Sequence, residues 1–290
     1  AALRDPSVRS PFRVPAMVRK LRAGPGIDRS DRPAPNLRVV LHGGEPCPAA
    51  VKRAMIRWFG PVLVEYYEFA EGGLAMIDTT DWLRRPGSVG RPADGLRLSI
   101  VDDAGRELPP GREGTICLTF APSPDGRIRR FSYRNDPDRT ASAYLGDAFT
   151  VGDVGWIDDE GFLYVSGRRA DVILSAGVNV YPPEVENALA DTPGVADLCA
   201  VGGPADHGEA IVLFVVLSPG AQPDLVRTAL GDRAAASLAR YKRPARVEIV
   251  PEIPRDPVGR LVRTGLRAEL WKNGSPVRAA TPRLIPAQRA

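Results

Sequence analysis

Between Leu37 and Tyr67 the chain reads as strand, turn, helix and strand, an order that leaves few ways to fold. Leu37 to Leu41 is a short apolar run. A helix follows from about Pro48 to Phe59, with Val51, Ala54, Met55 and Trp58 at helical spacing and Gly60 closing it. Val62 to Tyr67 is the second strand. A unit of this length predicts a right-handed βαβ crossover in a parallel sheet. Ligands of such sheets sit beyond the carboxyl ends of the strands, which nominates the loop at Gly43-Gly44-Glu45 and the segment from Glu68 to Gly73.

From Gly87 to Tyr164 the pattern changes to short alternating strands. They are broken by Asp102-Asp103-Ala104-Gly105, Pro109-Pro110-Gly111 and Asp158-Asp159-Glu160-Gly161, as in a small barrel or distorted sheet. Past Gly167 strands near Val172, Val195 to Val201, Ala210 to Leu217 and Arg246 to Val250 alternate with helices starting at Pro182 or Pro183 and after Pro223, a compact α+β pattern. Asn273 to Ala290 holds Gly, Pro, Arg and Ala without periodicity and reads as a disordered tail. The expected organisation is therefore α/β plus α+β. The pattern divides into an α/β part over residues 1–86, a β subdomain over 87–166, a small α+β domain over 167–272 and the tail over 273–290.

The 290 residues, 43% of them hydrophobic, are enough for one or two cores. No run of about 18 apolar residues appears and no secretion signal opens the chain, so neither a membrane span nor export is expected, and the expected compartment is the cytoplasm. Cys47, Cys117 and Cys199 are widely spaced and read as buried thiols rather than a disulfide framework or zinc site. The net charge of +4 is spread among interspersed acids and bases with no basic block, which argues against nucleic-acid binding. His42 and His207 lack partners at catalytic spacing and read as structural.

The stretch from Gly167 to Glu186, Gly-Arg-Arg-Ala-Asp-Val-Ile-Leu-Ser-Ala-Gly-Val-Asn-Val-Tyr-Pro-Pro-Glu-Val-Glu, reads as turn, short strand, glycine loop and capped helix. It stands in order with His42-Gly43-Gly44-Glu45-Pro46, with Glu65-Tyr66-Tyr67 through Glu71-Gly72-Gly73, with Gly152-Asp153, and with Pro254-Arg255-Asp256-Pro257-Val258-Gly259-Arg260. From about Val14 to Trp271 this run resembles the AMP-forming adenylating enzymes, and among them the acyl-CoA synthetases (the AMP-dependent synthetase and ligase type). The resemblance is to the C-terminal half, and it implies that residues 1–86 are the last part of the family's large α/β N-terminal domain and that 167–272 are its small mobile C-terminal domain. The family's N-terminal phosphate-binding loop has no counterpart in these residues.

The resemblance implies ATP-dependent activation of a carboxylic acid to an acyl-adenylate, then transfer to coenzyme A. It assigns Gly44, Glu45 and Pro46 to the adenine, where glycines let a flat ring approach. It assigns Asp153 and Arg168 to the ribose, an acceptor-only carboxylate and a donor-only guanidinium suiting a diol. Glu71 becomes the ligand of a Mg²⁺ ion that bridges the ATP phosphates. Gly177 lies beside the pantetheine tunnel, and a turn glycine is the alternative there. Arg260 occupies the place of the family lysine that bridges the substrate carboxylate and the α-phosphate, and it retains the charge while spreading it over a planar fork. Ala170 takes the hinge position, where small residues are tolerated.

Several residues depart from the family pattern: Glu68, Ala70, Val151, Ala170 and Arg260. These leave open a truncated, non-catalytic nucleotide-binding remnant, or one half of a split or longer ligase partnered by an N-terminal half or upstream domain. The carboxylic acid itself is not specified by these residues.

Overall fold

The computed structural model describes residues 12–13, 37–205, 208–257 and 260–272. His207, Val258, Gly259 and the tail expected from Asn273 onward lie outside them. The chain divides into two compact units, Ala1–Ala170 and Asp171–Ala290. The division falls just after Ala170.

The first unit opens with a five-stranded sheet in the order β1 (Phe12–Arg13), β2 (Val40–Gly43), β3 (Leu63–Phe69), β4 (Gly73–Asp78) and β5 (Arg91–Pro92). Strands β2 and β3 pair in parallel from Val40↔Leu63 to Gly43↔Tyr66, as the βαβ pattern requires. Helix α1 (Ala49–Phe59) makes the crossover. Its residues Val51, Met55, Trp58 and Phe59 pack with Leu37, Val40 and Leu63 into one core, and a buried aromatic or aliphatic side chain contributes about 1.5–3 kcal/mol of transfer free energy. Gly60, with φ of 87°, stops the helix and returns its N–H to Ile56. The parallel pattern does not persist, since β4 and β5 both run antiparallel. A one-and-a-half-turn helix, α2 (Thr79–Arg84), follows β4 and is capped by the Asp78 carboxylate accepting from the Asp81 N–H at 2.8 Å.

The second sheet is wholly antiparallel. It comprises β6 (Leu96–Val101), β7 (Gly114–Phe120), β8 (Tyr144–Leu145), β9 (Ala148–Phe149), β10 (Asp153–Ile157) and β11 (Leu163–Arg168). Short helix α3 (Pro137–Ser142), capped by Asp136, interrupts the run of strands that the sequence pattern implies. The two sheets share a core: Ile100, Ile116 and Leu163 pack with Tyr67 from β3 and Val89 ahead of β5. Cys117 is buried here, its thiol pushed up to about 11 by desolvation, while Cys47 is only half-buried.

The second unit holds β12 (Ile173–Ser175), β13 (Val178–Val180), β14 (Val195–Pro204), β15 (Glu209–Leu217) and β16 (Arg246–Ile249), with helices α4 (Pro182–Leu189), α5 (Pro223–Ser237) and α6 (Arg263–Lys272). Strand β15 is apolar on both faces because helices cover both. Ile211, Leu213 and Val215 face a core with α4 and α5 residues, whereas Val212 and Phe214 face Cys199, Ile253 and Leu266. Burial pushes the Cys199 thiol up to about 12, so it is an inert core thiol.

Candidate functional site

Asp153 opens β10 and Arg168 closes β11, and the antiparallel register sets them opposite one another. Neighbours so placed have side chains within reach, and the Arg168 Nε donates to Asp153 Oδ1 at 3.1 Å. The carboxylate side chain is 8% exposed and the guanidinium 61%, so the acid is fixed inside the wall while the base reaches the surface. A second donor comes from the other sheet. The hydroxyl of Tyr67, at the carboxyl end of β3, donates to Asp153 Oδ2 at 2.6 Å. Burial first and the Asp153 charge second hold the Tyr67 phenol well above its ordinary range, so it stays protonated and donating. An ionised carboxylate only accepts hydrogen bonds, which is the chemistry that paired hydroxyl donors require.

Tyr67 thus joins Asp153 and Arg168, a role that the sequence does not assign to it. It lies 86 residues from Asp153 along the chain, and it is marked in the sequence only as part of the Glu65-to-Gly73 motif and as the end of an expected strand.

The Gly44-Glu45-Pro46 loop follows β2 directly. Gly43 ends that strand against Tyr66, whose carbonyl and ring a side chain would strike, and Gly44 takes φ of 81°, a conformation favouring glycine. Gly44 and Pro46 are exposed and Glu45 half-buried. A planar ligand can therefore approach the backbone at this turn.

Glu71 sits in the turn between β3 and β4, where its Oε1 accepts from the Tyr133 hydroxyl at 2.6 Å. The Tyr133 phenol is raised above its ordinary value by burial and by this bond to Glu71. Arg139 lies over the ring at 3.8 Å from its centroid, and Tyr133 helps line a cavity of about 460 Å³ with Phe131, Asn135 and Tyr144. Among the described residues no group of three or more His, Cys, Asp or Glu side chains could hold a metal ion. Glu71 can offer one carboxylate, which suits magnesium bound chiefly by substrate oxygens and water. Glu68, near the end of β3, is exposed.

In the second unit, Gly177 and Ala176 form the two-residue loop joining β12 to β13, with φ of 78° and 51°. Two positive φ values are the signature of the tight turn that matches strand twist, so the glycine has a conformational reason to be there. Arg260 is exposed beside a hairpin stem. Its Nε donates to Asp256 Oδ2 at 2.8 Å and its N–H to Asp256 Oδ1 at 2.8 Å. An arginine held through Nε still presents its two terminal nitrogens as a fork, a shape that matches carboxylate or phosphate. His42 is fully buried with neither ring nitrogen hydrogen-bonded. Desolvation first and Lys52 second lower its pKa to about 3, so the ring is neutral. It remains a core residue.

Residues 3–120 match the family described as AMP-binding enzyme, and residues 184–260 match its C-terminal domain. The chain is 34% identical over 275 residues to the fatty acid–[acyl-carrier-protein] ligase ScoC of Streptomyces coeruleorubidus, covering 93% of this chain and 51% of that protein. It is 34% identical over 245 residues to the human mitochondrial acyl-coenzyme A synthetase ACSM4, covering 82% of this chain and 41% of that protein. Among solved structures it is similar to ATP-bound MatB from Rhodopseudomonas palustris, with a TM-score of 0.77 and 27% identity over 91% of this chain and 51% of that one. The chain thus spans about half the length, or less, of the relatives it matches.

Proposed function

The chain belongs to the AMP-binding enzyme family, and from that membership we propose that it serves an acid–thiol ligase that activates a carboxylic acid with ATP. In the first step a substrate carboxylate oxygen attacks the α-phosphorus, and pyrophosphate leaves. In the second a thiol attacks the acyl carbon of the acyl-adenylate, and AMP leaves with the bonding electrons. The observation that carries this reading is the Asp153 carboxylate, buried, and gripped by Tyr67 on one oxygen and Arg168 on the other. That constellation suits a ribose diol, with Arg168 adding a donor from the surface.

In this reading Gly44, Glu45 and Pro46 take the adenine against exposed backbone. Arg260 brings positive charge to the carboxylate and α-phosphate as negative charge gathers there, the kind of electrostatic stabilisation that matters most in such transfers. Glu71, oriented by Tyr133, supplies one carboxylate to a magnesium ion, whose chemistry when bound is to neutralise charge on the phosphates. Gly177 lies where the pantetheine arm would pass. We take the thiol to be that of coenzyme A. The thiol of an acyl carrier protein is a second reading, favoured by the similarity to ScoC.

The test is acid-dependent exchange of labelled pyrophosphate into ATP, across a panel of carboxylic acids, by the protein as its reading frame encodes it. Asp153→Ala should weaken AMP binding and slow exchange together. Unchanged AMP affinity in that variant would overturn the assignment. No exchange with any acid would favour a non-catalytic nucleotide-binding role, and product analysis with coenzyme A against a phosphopantetheinylated carrier protein decides the thiol.

A further inference from the structure

The residues around Arg260 form a short hairpin whose two arms are each tied to the body of the second unit. Arg255 bridges antiparallel to Leu261, the Val262 N–H donates to the Pro254 carbonyl at 3.0 Å, and the Asp256 N–H donates to the Arg260 carbonyl at 2.9 Å. On the outgoing arm, Arg255 Nη2 donates to Asp197 Oδ2 on β14 at 2.7 Å. Just past the returning arm, Arg263 Nη2 donates to both oxygens of Glu186 on α4, at 2.7 and 2.8 Å, while Arg263 Nη1 lies 3.8 Å from Asp171. Glu186 also accepts from the Ala200 N–H of β14 at 2.9 Å.

The two arginine side chains are 14% and 13% exposed, in contrast with 58% for Arg260. Exposed ion pairs fix little, because solvent and salt compete for both charges. Largely buried, charge-assisted pairs are directional and costly to break. The two arms thus have stiff roots, and Arg260 between them faces solvent.

We propose that Arg255 and Arg263 are positioning residues that set the reach of Arg260 during acyl-adenylate formation, acting through Asp197 and Glu186 rather than by touching substrate. The proposal rests on the role given to Arg260 above. A displacement near one ångström of a catalytic group can cost roughly a hundredfold in rate, so slack at either root is enough to matter.

The experiment is a set of double-mutant cycles read by pyrophosphate exchange. Arg255→Met and Arg263→Met should each lower kcat roughly ten- to a hundredfold, with AMP affinity unchanged because AMP is held by residues of the first unit. Arg255→Lys, which can still pair with Asp197, should recover most of the loss. In an Arg260→Ala background the same substitutions should have no further effect, since residues acting through one group are non-additive. Equal slowing by the root substitutions with and without Arg260 would overturn the proposal, as would loss of AMP affinity in proportion to rate. Should a methionine variant not fold, Arg255→Lys and Glu186→Gln in both backgrounds make the same comparison. If Arg260→Ala alone leaves exchange unchanged, the reading of Arg260 falls and this proposal with it. Slow Arg260→Ala with additive roots overturns only the proposal.

Discussion

Lys52 Nζ and Glu65 Oε2 lie 2.5 Å apart with the lysine side chain 0% exposed, so helix α1 is fastened to strand β3 by an ion pair without solvent access. Burial lowers the Lys52 pKa and raises that of Glu65, and each partner offsets part of the penalty on the other. Trp82 adds a ring face 4.9 Å from the ammonium. Breaking such a pair from one side strands a charge. Lys52→Met should cost about 3–5 kcal/mol in urea unfolding, whereas Lys52→Met with Glu65→Leu should cost far less, because no unpaired ion then remains. Equal costs for the single and double variants would show that packing, not charge, is what the pair provides.

His42 should make the first unit acid-sensitive. The unfolded imidazole takes its proton near pH 6.5 and the folded one near 3, so the unfolded state holds more protons between those values and stability falls as pH drops through that window. The full effect is on the order of 3–5 kcal/mol at one pKa unit per about 1.4 kcal/mol. His42→Leu should flatten the slope of melting temperature against pH below 6.5, and should be neutral or stabilising at pH 7, since it removes an unsatisfied buried group. A variant that keeps the wild-type slope would place the acid sensitivity elsewhere.

Tyr67→Phe removes a donor from the Asp153 carboxylate without changing the shape of the wall. A hydrogen bond to a charged acceptor contributes about 1.5–3 kcal/mol to folding, but this one is already formed without ligand, so only its orienting effect on Asp153 is lost to binding and AMP affinity measured by calorimetry should fall by up to roughly tenfold. Asp153→Asn should fall further, because an amide cannot accept on both sides. Full affinity in Tyr67→Phe would mean that Arg168 alone orients the acid.

Arg260→Ala should slow pyrophosphate exchange far more than Arg260→Lys. Lysine keeps the charge, but it loses the Nε bond to Asp256 and the fork, so it should be intermediate rather than silent. Identical rates for all three proteins would mean that this position no longer supports chemistry.

Much of the architecture could be read from the residues because long elements announce themselves. The spacing of Val51, Met55 and Trp58 predicts helix α1, and the apolar run from Ala210 to Leu217 predicts strand β15, which the structure shows to be covered on both faces. Helices α2, α3 and α6 are not anticipated: α2 and α3, at six residues each, are too short for periodicity to show, with only Asp78 and Asp136 marking their starts, and α6 buries only Leu266, too little for an apolar stripe. At the candidate site, Asp153 and Arg168 were paired on the strength of a family resemblance, and the register of β10 and β11 brings them into contact. Their third partner could not be found that way. Tyr67 meets Asp153 only through the packing of two sheets, and Tyr133 meets Glu71 across 62 residues of chain, so neither contact leaves a mark in local sequence.

The bond from Tyr67 to Asp153 also gives the buried wall a voice in recognition. Its donor rides on one sheet and its acceptor on the other, and the Tyr67 ring is packed against Ile100, Ile116 and Leu163 where the sheets meet. A methyl gained or lost at those three positions shifts one sheet against the other by tenths of an ångström, and a 2.6 Å hydrogen bond registers such a shift steeply. Natural variants could thus be tuned or handicapped in nucleotide affinity by aliphatic exchanges that never approach the ligand, and selection would see those core positions through binding before it saw them through melting.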